Sequence, residues 1–226
     1  MRTRILSSLA FILLLAGAGC KKDNYDAPST ELKGRIIYNG KQLGLRSNGV
    51  QLELWQPGFA LSSKIPVFVA QDGSFSVKLF NGNYKLVGVR GNGPWVDFQD
   101  SIPVTVSGNG QVDVQVDPYF VFQDATFQHT ATTVTATFTI MRINPTQPLE
   151  SVTLYVGNSK IVDVFNRNVA VTKVAADITN ILQPQTLTLT LPADLANKSF
   201  VYARVGIKAV GVGEQVYTPA ELIQLK

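Results

Sequence analysis

The sequence predicts an all-β protein made of two β-sandwich domains. Short segments in which apolar and polar residues alternate recur along the chain, and Gly, Pro and Asn separate them. Apolar spacing with a helical period is almost absent. The roughly 200 residues that follow the amino-terminal segment could form one large domain or two ordinary ones, and the pattern of short strands favours two.

The chain begins with an apolar segment that leads to a single cysteine. Residues 5–16 are shorter than the roughly 20 apolar residues that span a bilayer, so we expect residues 1–19 to be a removable export signal. Residues 17–19 (Gly-Ala-Gly) and Cys20 resemble the lipobox of bacterial lipoproteins, with Gly17 where Leu or Val is usual. The resemblance implies a mature chain lipidated at Cys20 and attached to a membrane. An ordinary secretory signal is the alternative.

Charge limits the classes of partner, and cysteine content limits the sources of stability. The formal charge of +4 falls to +2 without residues 1–19, because that segment carries Arg2 and Arg4 and no acid. No cluster of basic residues is evident, so we do not expect a nucleic acid partner. Cys20 is the only cysteine, which leaves no disulfide to stabilise an exported fold. Stability must therefore come from hydrophobic cores.

Residues 20–30 are polar and predict a tether, and residues 31–118 predict a first sandwich of about seven strands. Three of these strands alternate strictly, so each has one face in a core. Their apolar residues are Val50, Leu52 and Leu54; Phe75, Val77 and Leu79; and Val112, Val114 and Val116. Residues 72–73 (Asp-Gly) and 81–83 (Asn-Gly-Asn) predict hairpin turns on either side of the middle strand, because these residues tolerate positive φ.

Three segments of the first domain resemble a known sandwich. Residues 72–75 (Asp-Gly-Ser-Phe) and 82–84 (Gly-Asn-Tyr), with an opening strand at 32–36, are similar to the transthyretin-like (prealbumin-like), carboxypeptidase-regulatory-like domain. In that domain a strand that opens with Asp-Gly-x-Phe is followed by Gly-x-Tyr. The resemblance implies a fold and says almost nothing about function.

Pro118 and the aromatic residues 119–122 mark a change in composition, which we interpret as the boundary to a second domain at residues 119–226. Two of its strands alternate apolar residues with Thr, and a third alternates them with Tyr202 and Arg204, which we expect to face away from the core. The inward residues are Val134, Ala136, Phe138 and Ile140; Leu187, Leu189 and Leu191; and Val201, Ala203, Val205 and Ile207.

The end of the chain resembles the closing hairpin of fibronectin type III and immunoglobulin-like sandwiches. The third strand runs through residues 211–213 (Gly-Val-Gly) to a last strand near 222–225. The missing disulfide favours the fibronectin-like version.

Four segments spread over most of the mature chain resemble one family. They are residues 23–28 (Asp-Asn-Tyr-Asp-Ala-Pro), 54–59 (Leu-Trp-Gln-Pro-Gly-Phe), 71–75 (Gln-Asp-Gly-Ser-Phe) and 91–95 (Gly-Asn-Gly-Pro-Trp). Together they look like the two-domain lipoproteins of domain-of-unknown-function family 3823 from Bacteroidetes-type bacteria. The resemblance implies an outer-membrane address beside glycan-acquisition systems, and it transfers no catalytic residue.

Catalytic chemistry has little support in the sequence. His129 is the only histidine, which excludes a histidine-based triad or a multi-histidine metal site within one chain. Asp97 and Asp100 lie in one loop beside Trp95, but their spacing specifies neither a glycosidase carboxylate pair nor a calcium loop. Residues 91–93 (Gly-Asn-Gly) do not continue into a phosphate-binding fingerprint. We therefore expect no enzyme activity, no catalytic residue, no cofactor and no metal.

Both tryptophans are candidates for a ligand or interface surface. Alternation points Trp55 away from the first core, and Trp95 follows Gly-Pro in a loop that would present it at one end of the sandwich. Phe59 and Asp97 complete the candidate set. In the alternative, Trp55 and Phe59 fill the contact between the two domains or cap an open end of a sandwich.

These observations predict a non-catalytic, lipid-anchored protein of the outer membrane that faces the periplasm or the cell surface. We expect it to support the capture of glycans or other nutrients beside an outer-membrane transporter. The first domain would act as a spacer or docking module, and the loops of the second would carry the ligand surface. The alternative is a structural or adhesive surface protein, such as a fibre subunit, because free edge strands can pair by β-augmentation.

Overall fold

The structure is a computed structural model that describes residues 26–58 and 63–226. The predictions for residues 1–19, Cys20 and Phe59 fall outside the described residues. Before position 118 the described residues form eight strands. They are β1 (Thr30–Tyr38), β2 (Lys41–Gln42), β3 (Gln51–Trp55), β4 (Lys64–Phe68), β5 (Ser74–Leu79), β6 (Gly82–Gly88), β7 (Ile102–Val106) and β8 (Gly110–Gln115).

These eight strands form two sheets around one core, as predicted for a sandwich. In one sheet β1 pairs with β2 and β5 in antiparallel orientation and with β8 in parallel orientation. The other sheet is antiparallel and has the order β4-β3-β6-β7. The core contains apolar side chains from both sheets, among them Leu32, Ile36, Leu52, Leu54, Leu86 and Val114.

The three strands predicted from alternation are β3, β5 and β8. Their buried apolar residues are Leu52, Leu54, Phe75, Leu79 and Val114, and Val77 and Val112 are half-buried against the same core. The polar residues between them are exposed or half-buried. Alternation with a period of two therefore correctly predicted the buried face of each strand, because one side of the strand faces the core and the other faces solvent.

The two predicted hairpins are wrong, although a sharp turn forms at the first of them. Gly73 adopts φ +86° in a turn between β4 and β5, and residues 80–81 connect β5 to β6. However, β5 pairs with β1, whereas β4 and β6 both pair with β3, so each connection crosses from one sheet to the other. Turn residues reverse the chain direction locally, but the packing of apolar faces decides which strands pair.

The second domain contains eight strands, one short helix and one 3-10 turn in the described residues. They are β9 (Phe120–His129), β10 (Thr133–Arg142), β11 (Leu149–Gly157), β12 (Val169–Val174), the 3-10 turn (Ala175–Asp177), β13 (Gln185–Thr190), α1 (Ala193–Ala196), β14 (Phe200–Ala209), β15 (Val216–Tyr217) and β16 (Glu221–Gln224). No described helix has the length and apolar character that crossing a bilayer requires.

A three-stranded sheet and a five-stranded sheet form this second sandwich. The first has the order β13-β10-β9, and in the second β11 lies between β12 and β14, while β15 and β16 both pair with β14. All predicted inward residues of the three alternating strands are buried. On the outer face, the hydroxyls of Thr135 and Thr188 are 3.0 Å apart, and those of Thr137 and Thr186 are 3.3 Å apart. The threonines therefore pair across the strands, as β-branched residues on a sheet surface do.

Arg204 departs from the prediction, because it is only 1% exposed. Its side chain lies on the face of β14 opposite the second core, as alternation requires, but the first domain covers that face. The guanidinium donates to the carbonyl oxygens of Thr218 at 2.6 Å, Leu45 at 2.8 Å and Gln71 at 2.6 Å. Burial lowers its pKa to about 10, so the side chain still carries its charge at neutral pH.

Further polar contacts join the two domains beside Arg204. Arg46 and Glu214 form a two-bond ion pair, in which the Arg46 Nε–H donates to Oε2 at 3.0 Å. The backbone N–H of Tyr217 donates to the carbonyl of Gly44 at 2.9 Å. At Gly44 a Cβ atom would lie 2.3 Å from the carbonyl oxygen of Tyr217, so only glycine allows this close approach. The contact thus combines these polar bonds with apolar packing, because Val121 and Val216 of the second domain are buried in the first core.

Candidate functional site

The outer face of the β3 sheet carries Trp55. Leu52 and Leu54 of β3 point into the core, while Trp55 lies on the opposite face with Glu53 and is half-buried there. The Trp55 indole N–H donates to Oε2 of Glu53 at 3.1 Å, and Lys64 donates to Oε1 of the same carboxylate at 2.6 Å. These bonds orient the indole ring on the sheet surface.

Polar side chains flank the Trp55 ring on both neighbouring strands. Lys64 of β4 and Lys85 of β6 are the direct partners of Trp55 in the strand register. Both lysines are exposed, and Pro103 of β7 lies opposite Lys85. The surface around Trp55 therefore combines an aromatic ring with ammonium and carboxylate groups, which can bond hydroxyls beside a stacked apolar face.

Trp95 is buried, and the expectation that its loop presents it to a ligand is wrong. The ring is 5% exposed and packs in the first core, 6.4 Å from the ring of Phe98 and nearly parallel to it. Gly93 makes this possible, because a Cβ at that position would lie 2.2 Å from Cε2 of the Trp95 ring. The ring folds back over its own turn instead of extending into solvent.

The segment around Trp95 also bonds to residues 117–119, where the chain passes from the first domain to the second. Trp95 forms an isolated antiparallel bridge with Pro118. On either side of it, the N–H of Val96 donates to the Asp117 carbonyl at 3.0 Å and the N–H of Tyr119 donates to the Pro94 carbonyl at 3.2 Å. Trp95 is therefore a structural residue where the chain leaves the first domain.

Of the acids and the histidine considered from the sequence, Asp97 has a structural role, and Asp100 and His129 lie at the surface. Asp97 accepts the backbone N–H of Gly91 at 2.8 Å, and Gly91 has φ +66°, so this carboxylate stabilises a turn. Asp100 is exposed, and His129 is exposed at the end of β9. Residues 26–58 and 63–226 contain no group of three or more His, Cys, Asp or Glu side chains that could hold a metal ion.

A polar depression that the sequence did not reveal lies where the two domains meet. It has a volume of about 550 Å³, and we call it the amide notch. Its lining includes Asn48 from the first domain and Asn158, Ser159, Phe165, Arg167 and Asn168 from the second. Several asparagines at 158–168 were visible in the sequence, but only the domain contact brings Asn48 to them.

The loop that forms most of the amide notch is fixed by a buried carboxylate. Asp163 has no exposed surface and accepts the backbone N–H groups of Phe165 at 2.8 Å and Asn166 at 2.9 Å. The Asn168 side chain accepts the N–H of Asn158 at 3.1 Å, which closes the base of the loop. Phe165 is left 73% exposed at the rim.

A larger cleft of about 890 Å³ lies elsewhere along the domain contact. Its walls include Lys41, Gln71, Met141, Arg204 and Tyr217. The polar groups of Arg204 are already used by the carbonyls described above, and burial raises the pKa of Tyr217 far above its ordinary value. Arg204 and Tyr217 therefore have little capacity left to bind a ligand in this cleft, whose other polar side chains include Asn39, Gln123 and Asp124.

Comparisons with known proteins agree with this architecture. The model described as "Protein of unknown function (DUF3823) N-terminal domain" matches residues 30–117, and the one described as "Domain of unknown function (DUF3823_C)" matches residues 120–222. Comparison with curated proteins finds no match.

Several solved structures are similar over their whole length. A DUF3823 family protein from Bacteroides ovatus is 37% identical over 88% of this chain and 100% of its own, with a TM-score of 0.82. One from Parabacteroides merdae is 33% identical over 89% of this chain and 100% of its own, with a TM-score of 0.80. A candidate carbohydrate binding protein from Bacteroides uniformis shares the fold at 20% identity over 88% of this chain and 100% of its own, with a TM-score of 0.73.

Proposed function

Because the chain belongs to the DUF3823 family of two-domain β-sandwich proteins, we propose that it is a non-catalytic glycan-binding protein of the bacterial cell envelope. In this proposal Cys20 carries the lipid anchor, the outer membrane is the site of attachment, and an outer-membrane transporter receives the captured glycan. The structural neighbour named as a candidate carbohydrate binding protein supports the ligand class.

The observation that carries the proposal is the Trp55 surface. An indole ring held on the flat, solvent-facing side of a sheet can stack on the apolar face of a sugar. Glu53 accepts hydrogen bonds, and Lys64 and Lys85 donate them, which matches the hydroxyl groups around a sugar ring. A flat exposed surface of this kind binds through a few contacts, so we expect modest affinity for a single sugar and a gain from repeated units.

A glycan array followed by titration calorimetry with the purified protein tests this function. We expect saturable binding to at least one polysaccharide, and a loss of about tenfold or more in affinity for Trp55→Ala. Trp55→Phe keeps a stacking ring and should lose less. Phe80→Ala is the control, because Phe80 is an exposed aromatic residue of the first domain that is not part of the Trp55 surface. Absence of binding to any of a chemically diverse set of glycans would contradict the proposed function.

The alternative, a fibre subunit that assembles by β-augmentation, requires open strand edges. The Trp55 sheet ends in β4 on one side and β7 on the other, and these edge strands carry Pro66 and Pro103. Proline has no N–H to donate to an added strand, and exposed Lys64 on β4 further disfavours pairing. These two edges are therefore poorly suited to β-augmentation, and concentration-dependent polymers on size-exclusion chromatography would favour the fibre subunit.

A further inference from the structure

We infer that the amide notch is a second saccharide site, selective for a sugar that carries a carboxylate, that is, a uronic acid unit. This inference rests on the proposed glycan-binding function and assigns a ligand class to a site separate from Trp55. Its support comes from an exposed aromatic ring, hydrogen-bonding amides and an arginine at one concave position.

The aromatic wall of the notch is Phe165. Its backbone is fixed by Asp163, so the ring is held at the rim although 73% of the residue is exposed. The guanidinium of Arg46 lies 5.0 Å from the ring centroid and covers one face. A large exposed aromatic residue on a fixed backbone is a common feature of binding surfaces, since it contributes contact area at little cost in conformational entropy.

The polar wall of the notch suits hydroxyl groups. Side-chain amides such as those of Asn48 and Asn158 both donate and accept hydrogen bonds, and so does the hydroxyl of Ser159. The chain holds Asn48 at φ +56°, a conformation that asparagine tolerates better than most residues. Its position relative to Asn158 is fixed by the Arg46–Glu214 pair, which joins the two domains next to the notch.

The charge of the notch favours an anion. Arg167 is exposed and lies 5.7 Å from the centroid of the Tyr155 ring, and the ion pairs of the described residues do not include it. The acids Glu214 and Asp163 have other partners, because Glu214 pairs with Arg46 and Asp163 binds backbone N–H groups and Asn166. An arginine can bind a carboxylate through two parallel hydrogen bonds, which are stronger than bonds to a neutral hydroxyl.

The size of the notch agrees with a short glycan segment. Its volume of about 550 Å³ lies within the range of about 300–1,000 Å³ that is typical of small-ligand sites. A sugar stacked on Phe165 could then place its hydroxyls at the amides and its carboxylate at Arg167. Lys64 and Lys85 outnumber Glu53 on the Trp55 surface, so the effect of Arg167→Gln is needed to assign a preference for acidic sugars to the notch.

Calorimetry with a panel of uronic acid oligomers, each paired with its carboxyl-reduced neutral counterpart, tests the inference. We expect the protein to bind at least one acidic oligomer about tenfold or more tightly than its reduced form. Arg167→Gln should abolish that preference, and Phe165→Ala should weaken both forms. Lys198→Gln, which removes one exposed positive charge from another loop, and Phe80→Ala serve as matched controls. Thermal unfolding of every variant checks that the fold is intact.

The possible failures are distinguishable. If Arg167→Gln and Phe165→Ala bind acidic oligomers as the wild type does while Trp55→Ala loses glycan binding, the inference is wrong and the proposed function stands. If the wild type binds neutral glycans but no uronic acid oligomer, the acidic specificity is wrong. If Lys198→Gln loses as much affinity as Arg167→Gln, acidic oligomers bind through general charge attraction and not at a defined site, and the inference is wrong.

Discussion

The guanidinium of Arg204, on a strand of the second domain, donates to the carbonyl oxygen of Leu45 in the first domain at 2.8 Å. The same side chain bonds the carbonyls of Gln71 and Thr218 and lies 4.5 Å from the centroid of the Tyr217 ring. One buried charge therefore satisfies backbone acceptors from both domains. This contact fixes the relative position of the two walls of the amide notch.

Arg204→Met should destabilise the protein by about 3–5 kcal/mol, because it removes the donor to the carbonyl oxygens of Leu45, Val162 and Thr218. Lys208→Met on the same strand is the control and should cost about 1 kcal/mol or less, since Lys208 forms a solvent-accessible pair with Glu150. Urea denaturation measures both. Equal losses for the two variants would show that the Arg204 contact contributes little.

Gly44→Ala should destabilise the contact between the domains by about 1–3 kcal/mol, because the new methyl group would meet the Tyr217 carbonyl oxygen. Gly213→Ala is the matched control, since no atom lies within 4 Å of a Cβ at that position. Thermal unfolding should show a lower midpoint for the first variant alone. An unchanged Gly44→Ala midpoint would mean that the domains separate at little cost.

The two tryptophans should respond differently to truncation. Trp95→Ala removes a buried ring and should cost about 3–5 kcal/mol of unfolding free energy. Trp55→Ala removes a half-buried ring from the sheet surface and should cost about 1 kcal/mol. Denaturant unfolding compares them directly. A loss at Trp55 as large as that at Trp95 would identify Trp55 as a structural residue and weaken the proposed glycan site.

Alkaline pH should destabilise the fold partly through Tyr217. Burial raises the pKa of its hydroxyl above the ordinary value of about 10. Above that pH the unfolded chain releases a proton that the folded chain retains, so stability present below pH 10 is lost as pH rises. Tyr217→Phe should show a shallower decline between pH 9 and about 11. Identical slopes for the two proteins would contradict this role.

Cys20→Ala should move the protein from the membrane fraction to the soluble fraction. The physical reason is that each buried methylene of an acyl chain contributes about 0.8 kcal/mol, and stable attachment needs more than one chain. Fractionation of expressing cells followed by immunoblotting measures this, with Ser29→Ala in the predicted tether as the control. Membrane retention of processed Cys20→Ala would show that attachment does not depend on lipidation.

Alternation in the sequence identified the buried faces of β3, β5, β10, β13 and β14, because a strand with one dry side follows a period of two. It also placed Trp55 on the outer face of its strand. It could not identify which strands pair after the turns at residues 72–73 and 81–83. Strand pairing depends on contacts between residues far apart in sequence, and turn residues specify only the local reversal of the chain.

The sequence by itself determined the all-β class, the sandwich folds and the sidedness of the strands, since these follow from local hydrophobic patterns. Only the tertiary structure showed that Arg204 and Trp95 are buried and that Asn48 and Phe165 both line the amide notch. Alternation shows that a side chain points away from one core, but it does not show whether a second domain or a folded-back loop covers that side chain. Burial of such residues depends on long-range packing between surfaces.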